Sequence, residues 1–137
     1  MKQYLFLLLS AVTVNSCVND HTKKEKIATA VKPYVQVTFT NLSNEEIKKL
    51  TVIIAGKEFH FESLKKGETT KLLQLEEAYE YCYAVIITAK DTLINKPMIC
   101  GNEKKHKAGK LEFKIFIEEH GKRDKNKREI SLNPVVQ

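Results

Sequence analysis

Leu50-Thr51-Val52-Ile53-Ile54-Ala55-Gly56-Lys57-Glu58-Phe59-His60-Phe61 is the stretch that decides the fold class. Leu50, Val52 and Ile54 stand at every second position. After Gly56-Lys57 the same period resumes at Phe59 and Phe61, with Glu58 and His60 between them. Successive side chains of an extended chain point to opposite faces, so this spacing predicts two half-buried strands. The glycine and lysine between them predict a tight hairpin turn.

The same period spreads outward in both directions. Val35, Val37 and Phe39 alternate with Gln36, Thr38 and Thr40. Asn41-Leu42-Ser43-Asn44 breaks that strand, and residues 45–50 form either one helical turn capped by Ser43 or Asn44 or a polar connection between sheets. A turn at 64–68 leads to a strand over 69–75. Residues 79–89 read as the longest strand, apolar enough to sit centrally. Lys90-Asp91-Thr92 turns it toward a shorter strand near 97–101. Leu111, Phe113, Ile115 and Ile117 alternate after a basic loop at 102–109. A charged loop at 118–128 precedes a last strand at 130–132. Seven or eight short strands at regular spacing, with almost no helix, predict an all-β chain. The expected architecture is a single antiparallel immunoglobulin-like β-sandwich over residues 33–133, with a short tail at 134–137.

The N-terminus has a different character. Met1-Lys2-Gln3 precedes an apolar run from Tyr4 to Val14, and Asn15-Ser16-Cys17 follows. The run is about half of the roughly 20 residues that cross a bilayer as a helix, and it has the length of a signal-peptide core. Val14-Asn15-Ser16-Cys17 resembles the lipobox of bacterial lipoproteins: aliphatic, variable, small, cysteine. That resemblance implies cleavage after Ser16, so that 1–16 is a signal peptide. It also implies diacylglycerol on the Cys17 thiol and fatty acyl chains such as palmitate at the mature N-terminus. Residues 17–32 are polar and charged, without an apolar period, and read as a lipidated flexible tether. Lipid attachment implies a cell-envelope address. Val18 after the cysteine favours the outer membrane, facing the periplasm or the cell surface.

Charge sets further bounds. The chain of 137 residues carries 23 Lys and Arg against 17 Asp and Glu, for a net +6. Removing Lys2 with the signal leaves a mature net charge of about +5, which permits contact with anionic lipid or polysaccharide. Basic and acidic residues are interleaved, and no nucleic-acid motif is present, so nucleic acid is not an expected partner.

Cys82 and Cys100 lie eighteen residues apart with Asp91 at the midpoint. In a hairpin folded at Asp91 they would face each other with Cβ atoms about 4.5–5.5 Å apart, close to disulfide reach. Export favours the bond, whereas two buried thiols are the plainer alternative. Residues 76–82 are loosely similar to the Asp-x-Ala-x-Tyr-x-Cys strand of immunoglobulin domains. Glu80 stands where that tyrosine would, and the chain has no Trp, so no residue role follows. Tyr79, Tyr81, Tyr83, Val85 and Ile87 share one strand face, expected to be core rather than a sugar-stacking platform.

His21, His60, His106 and His120 lack metal-ligand spacing and read as solvated, so neither metal nor cofactor is expected. No catalytic motif occurs, and the chain is not expected to be an enzyme. Lys104, Lys105 and Lys107 in one loop, with Lys122, Arg123, Lys125, Lys127 and Arg128 in another, form the candidate patch for an anionic ligand. Asp91-Thr92-Leu93 resembles the O-glycosylation motif of exported Bacteroidota-type proteins and marks Thr92. Asn41-Leu42-Ser43 fits the N-glycosylation pattern, which carries little weight in a bacterial lipoprotein.

Lipobox, lysine-rich tether and sandwich together resemble the small immunoglobulin-like lipoproteins of Bacteroidota-type bacteria. The resemblance implies a membrane-anchored, non-enzymatic binding or structural module with an envelope protein or glycan as partner. The alternative is a periplasmic inhibitor or immunity protein that blocks an enzyme.

Overall fold

The computed structural model describes residues 32–99, 101, 103–119 and 128–137, all within one unit, Val31–Gln137. Ten strands follow in order: β1 (Val35–Asn41), β2 (Ile47–Ile54), β3 (Lys57–Leu64), β4 (Leu73–Leu75), β5 (Ala78–Tyr79), β6 (Tyr83–Ile87), β7 (Thr92–Asn95), β8 (Lys105–His106), β9 (Gly109–Glu119) and β10 (Arg128–Val136). The described residues contain no helix, and the unit they form is all-β. One four-stranded sheet runs β10-β9-β1-β4, a second runs β3-β2-β6-β7, and β5 with β8 makes a small ribbon. The two larger sheets form a sandwich.

Period two builds both layers. Val35, Val37 and Phe39 of β1 and Leu111, Phe113 and Ile115 of β9 turn inward from the first sheet. Leu50, Val52, Ile54, Ala84 and Ile86 turn inward from the second, and all of them are buried in one core. Phe39 stacks on Phe113 with ring centroids 5.1 Å apart and reaches Phe61 across the layers at 6.0 Å.

Several elements differ from the sequence expectation. β1 and β9 pair in parallel, Val35 opposite Gly109 through Asn41 opposite Ile115. A parallel neighbour needs a long crossover connection. Here the whole second sheet and the ribbon lie in sequence between the two strands. The expected long strand at 79–89 is split: Tyr79 ends β5, Glu80 to Cys82 leave the ladder, and β6 begins at Tyr83 in the second sheet. The longest strand is instead β9. Residues 97–99 form no strand. Residues 105 and 106, expected in a loop, form β8.

The expected tail is also strand. β10 pairs with β9 as far as Val136 opposite Leu111, and Gln137 exchanges backbone hydrogen bonds with Lys110. Pro134 is tolerated there because β10 is an edge strand, where a missing N–H leaves no ladder bond unmade. The hairpin turn is Ala55-Gly56 rather than Gly56-Lys57, since Ile54 pairs with Lys57. Both turn residues have positive φ, 50° and 70°, as a two-residue turn matching the strand twist requires.

Asn41 closes the end of β1. No helical turn follows it: residues 42–46 make the polar connection between the two sheets, β2 begins at Ile47, and the fully buried Asn41 side chain organises that connection. Its amide donates to the carbonyls of Glu45 and Leu64, each at 2.9 Å, and its oxygen accepts from the backbone and hydroxyl of Ser43. The N-glycosylation pattern therefore marks a structural amide. Asn41→Asp keeps the shape but sets an acceptor against two carbonyls. It should lower the unfolding free energy by about 2–3 kcal/mol in urea titration, against under 1 kcal/mol for Asn44→Asp on the exposed side of the same connection.

Candidate functional site

The outer faces of the two sheets differ in chemistry. On the first sheet Gln36, Thr38 and Thr40 stand beside Lys110, Glu112 and Lys114 by the parallel register, and Thr40 donates to the Glu112 carboxylate at 2.6 Å. That is the ordinary polar exterior of a half-buried strand pair.

The second sheet turns apolar side chains outward. Strand pairing places its outward residues in three rows. The first row is Glu58, Ile53 and Tyr83, continued by Lys96 directly after β7. The second is His60, Thr51, Val85 and Ile94. The third is Glu62, Lys49, Ile87 and Thr92. Ile53, Ile87 and Ile94 are 39%, 38% and 52% exposed, with Tyr83 and Val85 half-buried among them. A contiguous apolar stripe with a polar rim is the mark of an interaction surface, in contrast to scattered single apolar residues. Tyr83, Val85 and Ile87 belong to this exterior. The inward positions of β6 are taken by Ala84 and Ile86, so the expectation of a core row is corrected. The same parity holds on both sides of the break at Glu80 to Cys82, since Ala78 and Cys82 are buried like Ala84 and Ile86.

Tyr79 and Tyr81 lie apart from that row and stack on each other at 5.3 Å beside the β5–β8 ribbon. Lys105 sits over the Tyr79 ring at 5.3 Å and pairs with Glu77 at 3.0 Å. Hydrogen bonding to Tyr79, then to Glu77, raises its pKa. His106 is buried rather than solvated, with Nε2 2.7 Å from a Glu80 carboxylate oxygen. His60 is exposed and contacts Thr51 and Glu58 on the outer face. No group of three or more His, Cys, Asp or Glu side chains that would hold a metal occurs among the described residues.

Only half of the candidate anionic patch falls on described residues, and those four differ in their surroundings. Lys104 and Lys107 are exposed, and Lys105 is engaged as above. Lys122, Arg123, Lys125 and Lys127 lie outside the described residues, as do His21 and His120. Arg128 is removed from the patch. Its side chain is 10% exposed and bridges Asp91, at 2.6 Å, and Glu45. Desolvation works against its charge, but the hydrogen bonds it donates to the Glu45 and Asp91 carboxylates, with their negative charge, outweigh that, and the net pKa shift is upward. Thr92 is exposed, and its neighbours are anchored: Asp91 by Arg128 and Thr88, Leu93 in the core.

Cys17 and Cys100 lie outside the described residues. Cys82 is a buried free thiol, 2% exposed, and burial pushes its pKa up to about 12 from an ordinary 9.0. The geometric premise for pairing it with Cys100 changes. Ala84 faces Asn95 and Ile87 faces Thr92, so the hairpin is centred between Ala89 and Lys90 rather than on Asp91. Continued in that register, Cys82 would face Pro97.

No family model and no curated protein matches the chain. Among solved structures, the NMR structure of a protein from Eubacterium rectale is similar at a TM-score of 0.47 and 11% identity, over 74% of this chain and 89% of that one.

Two outcomes follow from these placements. Arg128→Ala strands two partly buried carboxylates and should lower stability by about 2–3 kcal/mol in denaturant titration, whereas Lys104→Ala and Lys107→Ala should each change it by under about 0.5 kcal/mol. A thiol whose pKa is raised by folding contributes stability that is complete below pH 9 and lost as pH climbs toward 12. Between pH 9 and 11 the stability of the wild type should fall more steeply than that of Cys82→Val, by about 1.4 kcal/mol per pH unit. Parallel slopes would mean that Cys82 does not titrate on unfolding, as in a disulfide.

Proposed function

We propose that the chain is a lipid-anchored, non-enzymatic binding or structural module of the cell envelope, held in the outer membrane and facing the periplasm or the cell surface. The observation that carries this reading is the apolar outer face of the second sheet, which a protein partner would cover. Val14-Asn15-Ser16-Cys17 supports the anchor, and a protein or glycan of the envelope is the partner class that such an address brings within reach. Thr92, exposed on the rim of the same face, is the position proposed for O-glycosylation.

Two or more acyl chains at about 0.8 kcal/mol per buried CH₂ hold a protein stably on a bilayer, whereas one chain holds it marginally. Intact-mass analysis of the chain from an exporting bacterium should show cleavage after Ser16 and a diacylglyceryl mass on Cys17. Cys17→Ser should abolish both and release the protein from the membrane fraction. Cross-linking on intact cells should then capture one dominant partner through the second sheet. An enzyme as that partner, with activity that falls on binding, would make the chain an inhibitor. An unmodified Cys17 would overturn the anchor and the address together.

A further inference from the structure

We propose that the outer face of the second sheet binds a second copy of this chain, through a two-fold axis lying along the strands. The proposal rests on the binding reading above and names its partner.

The pattern of charge on the face selects both the occupant and the axis. One margin, on β3, carries Glu58 and Glu62 with His60 between them. The opposite margin, just beyond β7, carries Lys96, which alternation places on the side of Ile94. Between the margins run Ile53, Tyr83, Val85, Ile87 and Ile94, with Thr51 and the exposed Lys49 on β2 as the polar members; the apolar stem of Lys49 can cover an isoleucine while its ammonium stays in water. A face-to-face pair related by a two-fold axis must have that axis in the plane of contact, and there are two simple choices. An axis across the strands keeps each strand over its own copy, so Glu58 meets Glu62 of the partner twice, like charge against like. An axis along the strands reverses the strand order and keeps the rows. Glu58 then meets the partner's Lys96, and Ile53 meets the partner's Tyr83, each contact made twice. Isologous contacts of this kind close after two copies and leave no open face for further growth.

The magnitude is modest. Four strands at about 4.8 Å spacing and a few residues deep give a face toward the low end of interface sizes, so the free pair is weak and exchanging. Confinement of both copies to one bilayer by their lipids raises the effective concentration and compensates for this without any new contact.

The test uses the full chain, exported, in two differently tagged forms. One form carries Ile53→Cys and the other Tyr83→Cys; both positions are on the outer face, and circular dichroism of each variant checks the fold. A short bis-maleimide on isolated envelopes should join the two tags several-fold more than it joins Ile53→Cys to Lys49→Cys, the pair that the other axis would bring together. It should also exceed the wild-type background from the native cysteines. Adding Lys96→Glu should cut the product roughly tenfold, and Glu58→Lys in the same chain should restore it. Preference for the Lys49→Cys pairing, or equal labelling of all pairs, overturns the proposal. So does indifference to the charge of residue 96. Capture of a foreign protein at Ile53→Cys in place of the second tag also overturns self-association, while leaving the binding reading of the face intact.

Discussion

Phe39 is the point at which the sandwich is joined. It lies in parallel register with Phe113 on β9 and stacks on that ring at 5.1 Å. It also reaches Phe61 of the facing sheet at 6.0 Å, and both Phe39 and Phe113 are fully buried. Offset aromatic contacts of this kind contribute about 0.5–1.5 kcal/mol beyond the area they bury. More important is what they connect. The β1–β9 pairing closes a loop of more than seventy residues, and the β3 contact links the layers, so one side chain ties together strands from both ends and the middle of the chain. Asn41, two residues on, fixes where β1 stops and how the chain leaves for the second sheet. Register, layer spacing and the exit to β2 all depend on this short length of β1.

Legibility in the sequence followed the range of the interactions involved. Wherever one face of a strand is buried, period two is imposed by the pleat. Val35 to Phe39, Leu50 to Ile54 and Leu111 to Ile115 could therefore be assigned an inward face from spacing alone. Order within the sheets was not legible. Nothing local in Val35 to Asn41 says that its neighbour is residues 109–115 running the same way. Residues 79–89 failed for a related reason. Their apolar content fits a continuous buried strand, but Glu80 is drawn to His106 and Tyr81 to Tyr79, so the ladder is interrupted, and the small Ala78, Cys82 and Ala84 take the inward positions in place of the tyrosines.

Arg128 shows the same limit for charge. It closes a run of basic residues, and such a run ordinarily stays in water. Glu45, 83 residues away, and Asp91, 37 residues away, draw it inward to bind the start of β10 to the β1–β2 connection and the β6–β7 turn. Composition cannot reveal that a particular cation has two carboxylates waiting at the same point in space. Asn41 was hidden in the opposite way: a familiar surface pattern disguised an amide whose four hydrogen-bonding positions are all used inside the fold.

The two outer faces then carry the argument toward function. Both sheets satisfy the same core with the same alternation, so folding places no demand on the outward positions beyond compatibility with an extended chain. The first sheet fills most of them with threonine, glutamine, lysine and glutamate, with Phe116 and Val135 half-buried toward its β10 edge. The second sets isoleucine, valine and tyrosine in adjacent rows of its middle and β7 strands, with Thr51 and Lys49 as the polar members of β2. β-Branched and aromatic residues do favour strands, by up to about 1 kcal/mol, but on β1 of the first sheet Thr38 and Thr40 meet that preference with a polar side chain. Strand propensity therefore does not account for the asymmetry. Keeping such a stripe in water also exposes a folded protein to non-specific association. A face of this composition, with glutamate at one margin and lysine at the other, is physically reasonable where it is covered in use.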